Sequence, residues 1–268
     1  MDASSLTTIR YEAADGVATI TLDRADRHNA FTSVMCDEMA ATWAHVREDE
    51  SVRAVVVTAA GDKAFCTGID RSEVPADDGA ELAFDPLTYV DPGGRLGPRS
   101  NGCWKPVVAA INGMACGGAF YLLGEADILI AADHATFFDP HVTYGMPAVF
   151  EPALMLHRMP FGEVMRMTLL GNHERISAAR ALEVGLVTEV VPLADLAASA
   201  RRVAAAIASQ PPTAVQASLR SLWAARELTR MQMLDVSNTF LNLAMSKEAL
   251  AEGQAVFSSG QRIDPTIR

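Results

Sequence analysis

Two turns rich in glycine are the places where this sequence could do chemistry with its backbone. Residues 64–70 read AFCTGID after a β-branched run at 54–58, and residues 111–119 read INGMACGGA after an apolar run at 107–111. Glycine lets a ligand approach the backbone closely. The second turn opens an apolar helix near 119–126, and the first N–H groups of a helix have no acceptor inside it. Two such N–H groups converging on one oxygen would form an oxyanion hole, whereas each turn alone is typical of a packing corner.

The elements that must position these turns alternate between strand and helix. A helix is predicted over residues 32–48, with Thr32 or Ser33 as its N-cap and Val34, Met39 and Trp43 at helical spacing. This alternation predicts an α/β chain with a largely buried sheet. The predicted strands are 17–22, 54–58, 107–111, 128–131 and 187–191.

Two further segments differ from this alternation. Residues 71–103 are rich in Pro and Gly, which predicts a long irregular loop on the substrate side with a short helix near residue 80. The C-terminal part turns helical and rich in alanine. We therefore divide the chain into a core, residues 1–192, and a C-terminal helical module, residues 193–268, whose apolar face could pack on a neighbouring subunit.

Composition and charge exclude several classes of partner. The chain has 268 residues and a net charge of −11, which disfavours nucleic acid and anionic membranes as partners. The N-terminal residues 1–12 resemble neither a secretion signal nor a transit peptide, and no stretch is apolar enough to span a bilayer. The four cysteines lack metal-site spacing. We expect a cytoplasmic protein with reduced, mostly buried thiols.

Taken together, the two turns resemble those of the crotonase family, the enoyl-CoA hydratase/isomerase superfamily. There the first turn typically reads A-F-[CS]-A-G-x-D and the second N-G-x-A-x-G-G-G. Several independent motifs in the family's order are more specific than any one of them, and this resemblance spans most of the chain. The other matching segments are LDRADRHNA at 22–30, WKPVVAAING at 104–113, ADI at 126–128, residues 170–187 and residues 247–257.

The resemblance implies a fold, a ligand and an assembly. The fold would be a spiral of ββα units followed by a C-terminal helical trimerisation region, with trimers or hexamers as the assembly. The ligand would be an acyl-CoA thioester, with coenzyme A as part of the substrate and no metal or redox cofactor. The oxyanion donors would be the N–H groups of Ile69 and Gly118. The adenine would lie along residues 64–68, and the implied coenzyme A contacts are Arg24, Ala64, Cys66 and Gly68.

The sequence departs from the family where hydratases carry two glutamates. One glutamate would lie three residues after the second oxyanion glycine, where this chain has Tyr121, and the other would follow F-x-x-P, where it has His141. The usual two-glutamate machinery is therefore not expected. His141 could act as a base or a hydrogen-bond donor near neutral pH. Tyr121 would face the ligand by its family position, and both Tyr121 and Tyr144 could donate to a substrate oxygen or simply line the pocket.

Two carboxylates are candidates to replace the missing glutamates. Glu151 is the leading candidate base, because its apolar neighbours at 148–150 would raise its pKa. The alternative is an ordinary helix-cap glutamate before Pro152. Asp139 is held extended by Pro140 and could reach the pocket or cap a turn.

Two classes of function follow from these residues. An acyl-CoA enzyme would form an enolate-like intermediate or oxyanion on the thioester oxygen, where two fixed donors stabilise developing charge. Its reaction would be an isomerisation, an atypical hydration or a carbon–carbon hydrolysis. The alternative is a non-catalytic acyl-CoA-binding member of the family or a partner subunit.

Overall fold

The structure, a computed structural model, describes residues 5–73, 91–245, 247–260 and 265–267. The helix predicted near residue 80 lies outside these residues. The strands are β1 (Ile9–Ala14), β2 (Val17–Leu22), β3 (Ala54–Ala59), β4 (Ala64–Cys66), β5 (Val107–Ile111), β6 (Met114–Cys116), β7 (Ile128–Ala132), β8 (Thr136–Phe138), β9 (Ile176–Ser177) and β10 (Glu189–Val191). The helices are α1 (Ser33–Glu48), α2 (Ala119–Glu125), α3 (Phe150–Met155), α4 (Phe161–Leu170), α5 (Ala178–Glu183), α6 (Leu193–Ala208), α7 (Pro212–Glu227), α8 (Arg230–Ala244) and α9 (Lys247–Ser258).

Two sheets carry the core. One has the order β1-β2-β3-β5-β7-β10 and the other the order β4-β6-β8-β9. All neighbours pair in parallel except β1 with β2 and β8 with β9. The chain passes from the first sheet to the second three times, from β3 to β4, β5 to β6 and β7 to β8. The predicted mixed α/β fold is confirmed.

Helix α1 shows where the sequence pattern succeeds and where it misleads. Thr32 caps the helix as predicted, because its side chain accepts a hydrogen bond from the Met35 N–H. Trp43 is fully buried, and its indole N–H donates to the Leu96 carbonyl at 2.8 Å. Val34, predicted on the buried face, is 47% exposed. Met35 is buried in its place, whereas Met39 and Trp43 lie on the buried face as predicted.

The irregular segment and the last predicted strand are also partly corrected. Within the described part of 71–103, short 3₁₀ helices form at Arg71–Glu73 and Pro92–Arg95. The strand predicted at 187–191 begins only at Glu189. The Val187 N–H donates to the Ala181 carbonyl in the preceding turn, and the Thr188 N–H donates to the Leu129 carbonyl of β7.

The chain divides into two compact units, Met1–Ala205 and Ala206–Arg268. Most of α6, predicted with the C-terminal module, therefore belongs to the first unit. In α6, Ala200 and Ala204 are fully buried, and Ser199 donates a hydrogen bond to Glu189 of β10 at 2.6 Å.

The second unit is helical, as the alanine-rich pattern predicts. Helix α8 begins with a reciprocal capping box between Thr229 and Gln232. No helix in the described part of the chain is long and apolar enough to cross a membrane. Several large apolar side chains of the second unit are exposed. The exposed set includes Leu222, Met231, Leu234, Leu241, Leu243 and Phe257.

Candidate functional site

The two glycine turns meet at one edge of the second sheet. Strands β4, β6 and β8 are parallel neighbours, so the residues that follow them emerge side by side. A cavity of about 740 Å³ lies there. Its lining includes Ile69 from the first turn, Gly118 from the second, and His141 from the segment after β8.

The N–H of Ile69 points away from its neighbouring strand. Phe31 pairs with Ile69 in a parallel bridge, donating to the Gly68 carbonyl and accepting from the Asp70 N–H, each at 2.8 Å. Because successive N–H groups of an extended chain point to opposite sides, that of Ile69 points the other way. It has no acceptor among the residues that the structure describes.

The N–H of Gly118 lies close to this point. Gly118 precedes α2, so its N–H is one of the helix's unpaired donors, and no described residue accepts from it. Gly68 has φ +83°, and a Cβ there would lie 3.0 Å from the Gly118 nitrogen. A Cβ on Gly118 would lie 2.5 Å from the Phe31 ring. Both glycines are therefore required for the close approach, and the two predicted donors share one cavity.

His141 is a titratable residue on the cavity wall, and Asp139 holds it in place. Asp139 is completely buried, and its Oδ1 accepts from the His141 N–H at 3.0 Å and lies 2.5 Å from His141 Nδ1. This hydrogen bond is the largest cause that raises the pKa of His141 above its usual value. Asp139 thus caps a turn and contacts His141, but it does not line the cavity itself.

Glu151 stands on the other side of the imidazole. It lies in the first turn of α3, is 5% exposed, and shares its buried face with Met155. Its Oε1 lies 3.5 Å from His141 Nε2. Burial raises the pKa of Glu151, and the charge on His141 opposes that rise. Glu151 is not among the residues that line the cavity, so its contact with the cavity runs through His141.

Asp91 is a site residue that the sequence reasoning missed. Its negative charge raises the pKa values of both His141 and Glu151, and its Oδ1 accepts from the Gly93 N–H at 2.8 Å. The Asp91-Pro92 pair signals the start of a short helix, but nothing in the local sequence connects it with residues 141–151.

Tyr121, predicted by its family position to face the ligand, lies beside Gly93 of the irregular segment. Its ring packs beside Gly93, where an added Cβ would come within 2.3 Å of it, and Tyr121 is not among the cavity-lining residues. One turn later, Glu125 accepts hydrogen bonds from the backbone N–H groups of Arg99 and Ser100. A contact of Tyr121 with a ligand stays a prediction.

The predicted coenzyme A contacts fall into two groups, those that line the cavity and those that do not. Gly68 lines the cavity, whereas Ala64 and Cys66 are buried in β4. Arg24 is not on the cavity wall, and its guanidinium donates to Asp70 at 2.8 Å. Hydrogen bonds from Ser72 and Arg24 lower the pKa of Asp70 to about 2. The role of Arg24 visible here is to anchor the residue after Ile69, and its contact with an anion stays a prediction.

Known proteins resemble this chain along nearly its whole length. The family model described as enoyl-CoA hydratase/isomerase matches residues 12–262. The chain is 33% identical over 261 residues to (E)-benzylidenesuccinyl-CoA hydratase of Thauera aromatica, covering 97% of this chain and 98% of that protein. It is 30% identical over 246 residues to 1,2-epoxyphenylacetyl-CoA isomerase of Escherichia coli (strain K12), covering 90% and 92%. The crystal structure of an enoyl-CoA hydratase/isomerase from Mycobacterium paratuberculosis superposes with a TM-score of 0.85 at 33% identity, covering 97% and 98%.

Proposed function

The chain belongs to the enoyl-CoA hydratase/isomerase family, and from that premise we propose that it moves a proton to or from the carbon next to an acyl-CoA thioester. The thioester oxygen would accept from the Ile69 and Gly118 N–H groups, and His141 with Glu151 would carry the proton. The reaction would be an atypical hydration or a double-bond isomerisation. Coenzyme A enters as part of the substrate, and the proposal requires no other cofactor.

The oxyanion hole lowers the cost of the enolate. Removing a proton from C2 places negative charge on the thioester oxygen, and so does adding water across a conjugated double bond. Two donors fixed in place beforehand stabilise that charge more than they stabilise the neutral carbonyl. One such donor typically contributes about 3 kcal/mol to lowering the barrier.

The observation that carries the proposal is the placement of His141. It lines the same cavity as Ile69 and Gly118, while its two ring nitrogens face buried carboxylates at 2.5 and 3.5 Å. Asp139 raises the pKa of His141 and so favours the imidazolium, which can donate a proton. Burial raises the pKa of Glu151, so its carboxylate becomes a stronger base that can accept a proton. Protonated His141 and ionised Glu151 would therefore act together as an acid–base pair.

A panel of thioesters tests this function against simple binding. The protein is incubated with unsaturated, 3-hydroxyacyl- and 3-oxoacyl-CoA esters, and the products are followed by mass spectrometry. We expect gain or loss of water, or a product of unchanged mass with a shifted double bond. His141→Gln should abolish that turnover, whereas His134→Gln should not, because His134 forms a comparable pair with Asp133 on the exposed surface. Binding of esters without turnover of any would instead establish the non-catalytic alternative.

We further propose that the protein self-associates as a trimer or hexamer through its C-terminal unit. Leu234 and Leu241 lie seven residues apart on α8, hence on the same side of the helix, and are 52% and 54% exposed. An exposed apolar stripe of this kind is typical of a protein interface.

A further inference from the structure

Two arginines on the cavity wall differ from Arg99 and Arg166, which form ion pairs elsewhere in this acidic chain. Arg99 pairs with Asp127 and Arg166 pairs with Glu174. Arg71 and Arg175 line the cavity, yet neither guanidinium donates a hydrogen bond or lies within 4.0 Å of a carboxylate in the part of the chain that the structure describes. Their charge is therefore available to a ligand.

Arg71 is the better defined of the two, because a second donor accompanies it. Its guanidinium carbon lies 4.6 Å from the centroid of the Tyr144 ring. Stacking on a ring face orients the guanidinium and leaves the in-plane N–H groups free to donate. The Tyr144 hydroxyl accepts from the Asn172 side-chain N–H at 3.2 Å, and its own proton has no acceptor among the described residues. Guanidinium and hydroxyl thus present unused donors at one aromatic ring.

Arg71 and Tyr144 are close in the chain to Ile69 and His141, the residues proposed to contact the reacting atoms. Arg71 follows Ile69 by two residues, and Tyr144 ends the 3₁₀ helix that begins at His141. Arg27, another cation on the cavity wall, belongs to a separate segment, in which the His28 carbonyl accepts from the Thr67 hydroxyl of the first turn. An anion held by Arg71 would therefore belong to the acyl portion of the ligand.

We propose that Arg71 and Tyr144 bind a carboxylate at the far end of the acyl group, so that the substrate is the monothioester of a dicarboxylic acid. This proposal rests on the proposed function, since the oxyanion hole must hold the thioester end. Arginine matches a carboxylate with two parallel hydrogen bonds, and the Tyr144 hydroxyl adds a third. Fixing both ends of the acyl group orients C2 toward His141.

Matched acyl-CoA pairs test the subsite by calorimetry. Succinyl-, glutaryl- and adipyl-CoA are each compared with butanoyl-, pentanoyl- and hexanoyl-CoA of equal carbon number, and with free coenzyme A. The wild-type protein should bind the dicarboxylic member about 10-fold or more tightly at one chain length. Arg71→Gln should remove that preference and leave the monoacid esters and free coenzyme A unchanged. Tyr144→Phe keeps the ring under Arg71 and should remove part of the preference.

The controls separate the two ways in which this proposal could fail. Arg201→Gln removes one positive charge from an exposed pair with Asp15 and should change none of the affinities. If Arg71→Gln weakens free coenzyme A and all esters by the same factor, Arg71 holds a coenzyme A phosphate and the proposal is wrong. The absence of a dicarboxylate preference at every length also overturns it. Failure of the wild-type protein to bind any coenzyme A ester would refute the proposed function itself.

Discussion

Replacing Asp139 with asparagine probes the acid–base pair through its buried support. Asparagine keeps the shape of the side chain but removes the negative charge that lies 2.5 Å from His141 Nδ1. A hydrogen bond to a charged group contributes about 1.5–3 kcal/mol, so losing this one should lower kcat/KM by about 10- to 100-fold if the imidazolium is the active form. The variant should also bind esters with little change, since Asp139 does not line the cavity.

The pH profile of kcat/KM gives the sign of the effect. Activity should rise as Glu151 loses its proton and fall as His141 loses its own. Because Asp139 is the main cause that raises the pKa of His141, Asp139→Asn should move the falling limb to lower pH. Asp133→Asn, at the exposed pair with His134, serves as the matched control and should shift neither limb. An Asp139→Asn profile that superposes on the wild-type profile would refute the role given to the Asp139–His141 contact.

Three further substitutions test other parts of the account. Glu151→Gln should lower kcat by about 10²-fold or more and abolish the rising limb of the pH profile, whereas Glu163→Gln, in a surface ion pair, should leave both unchanged. Gly68→Ala should abolish turnover and lower the unfolding free energy by about 1–2 kcal/mol in chemical denaturation, because Gly68 has positive φ. Gly94→Ala is its control, since Gly94 has open space and no positive φ, and equal stability losses would contradict the argument. Leu234→Glu should reduce the molar mass in light scattering from that of a trimer or hexamer to that of a monomer, and an unchanged mass would place the interface elsewhere.

The parts of the fold set by local chemistry were predictable from the sequence. Buried β-branched runs and the Thr32 cap locate β3, β5 and α1 within one or two residues. Two motif asparagines also have clear structural reasons. The Asn29 side chain donates to the carbonyls of Ala60 and Ala64, and that of Asn112 donates to those of Ala59 and Gly61, so both hold the turns beside the cavity.

The features that the sequence did not predict depend on contacts between distant segments. Tyr121 packs against Gly93, which belongs to the irregular segment, and it is not among the residues that line the cavity. Helix α6 looks like the helices that follow it, and only its packing and its bonds to Glu189 assign it to the first unit. The approach of Glu151 to His141 requires α3 to turn its acidic residue inward.

Proton exchange at C2 of a bound acyl-CoA is the most direct test of the central claim. The protein is incubated in D₂O with an ester that it binds, and deuterium at C2 is followed by NMR. If Ile69 and Gly118 stabilise an enolate while His141 and Glu151 move the proton, the wild-type protein should exchange C2–H and His141→Gln should not. Tight binding without any exchange at C2, for every ester that binds, would contradict the account.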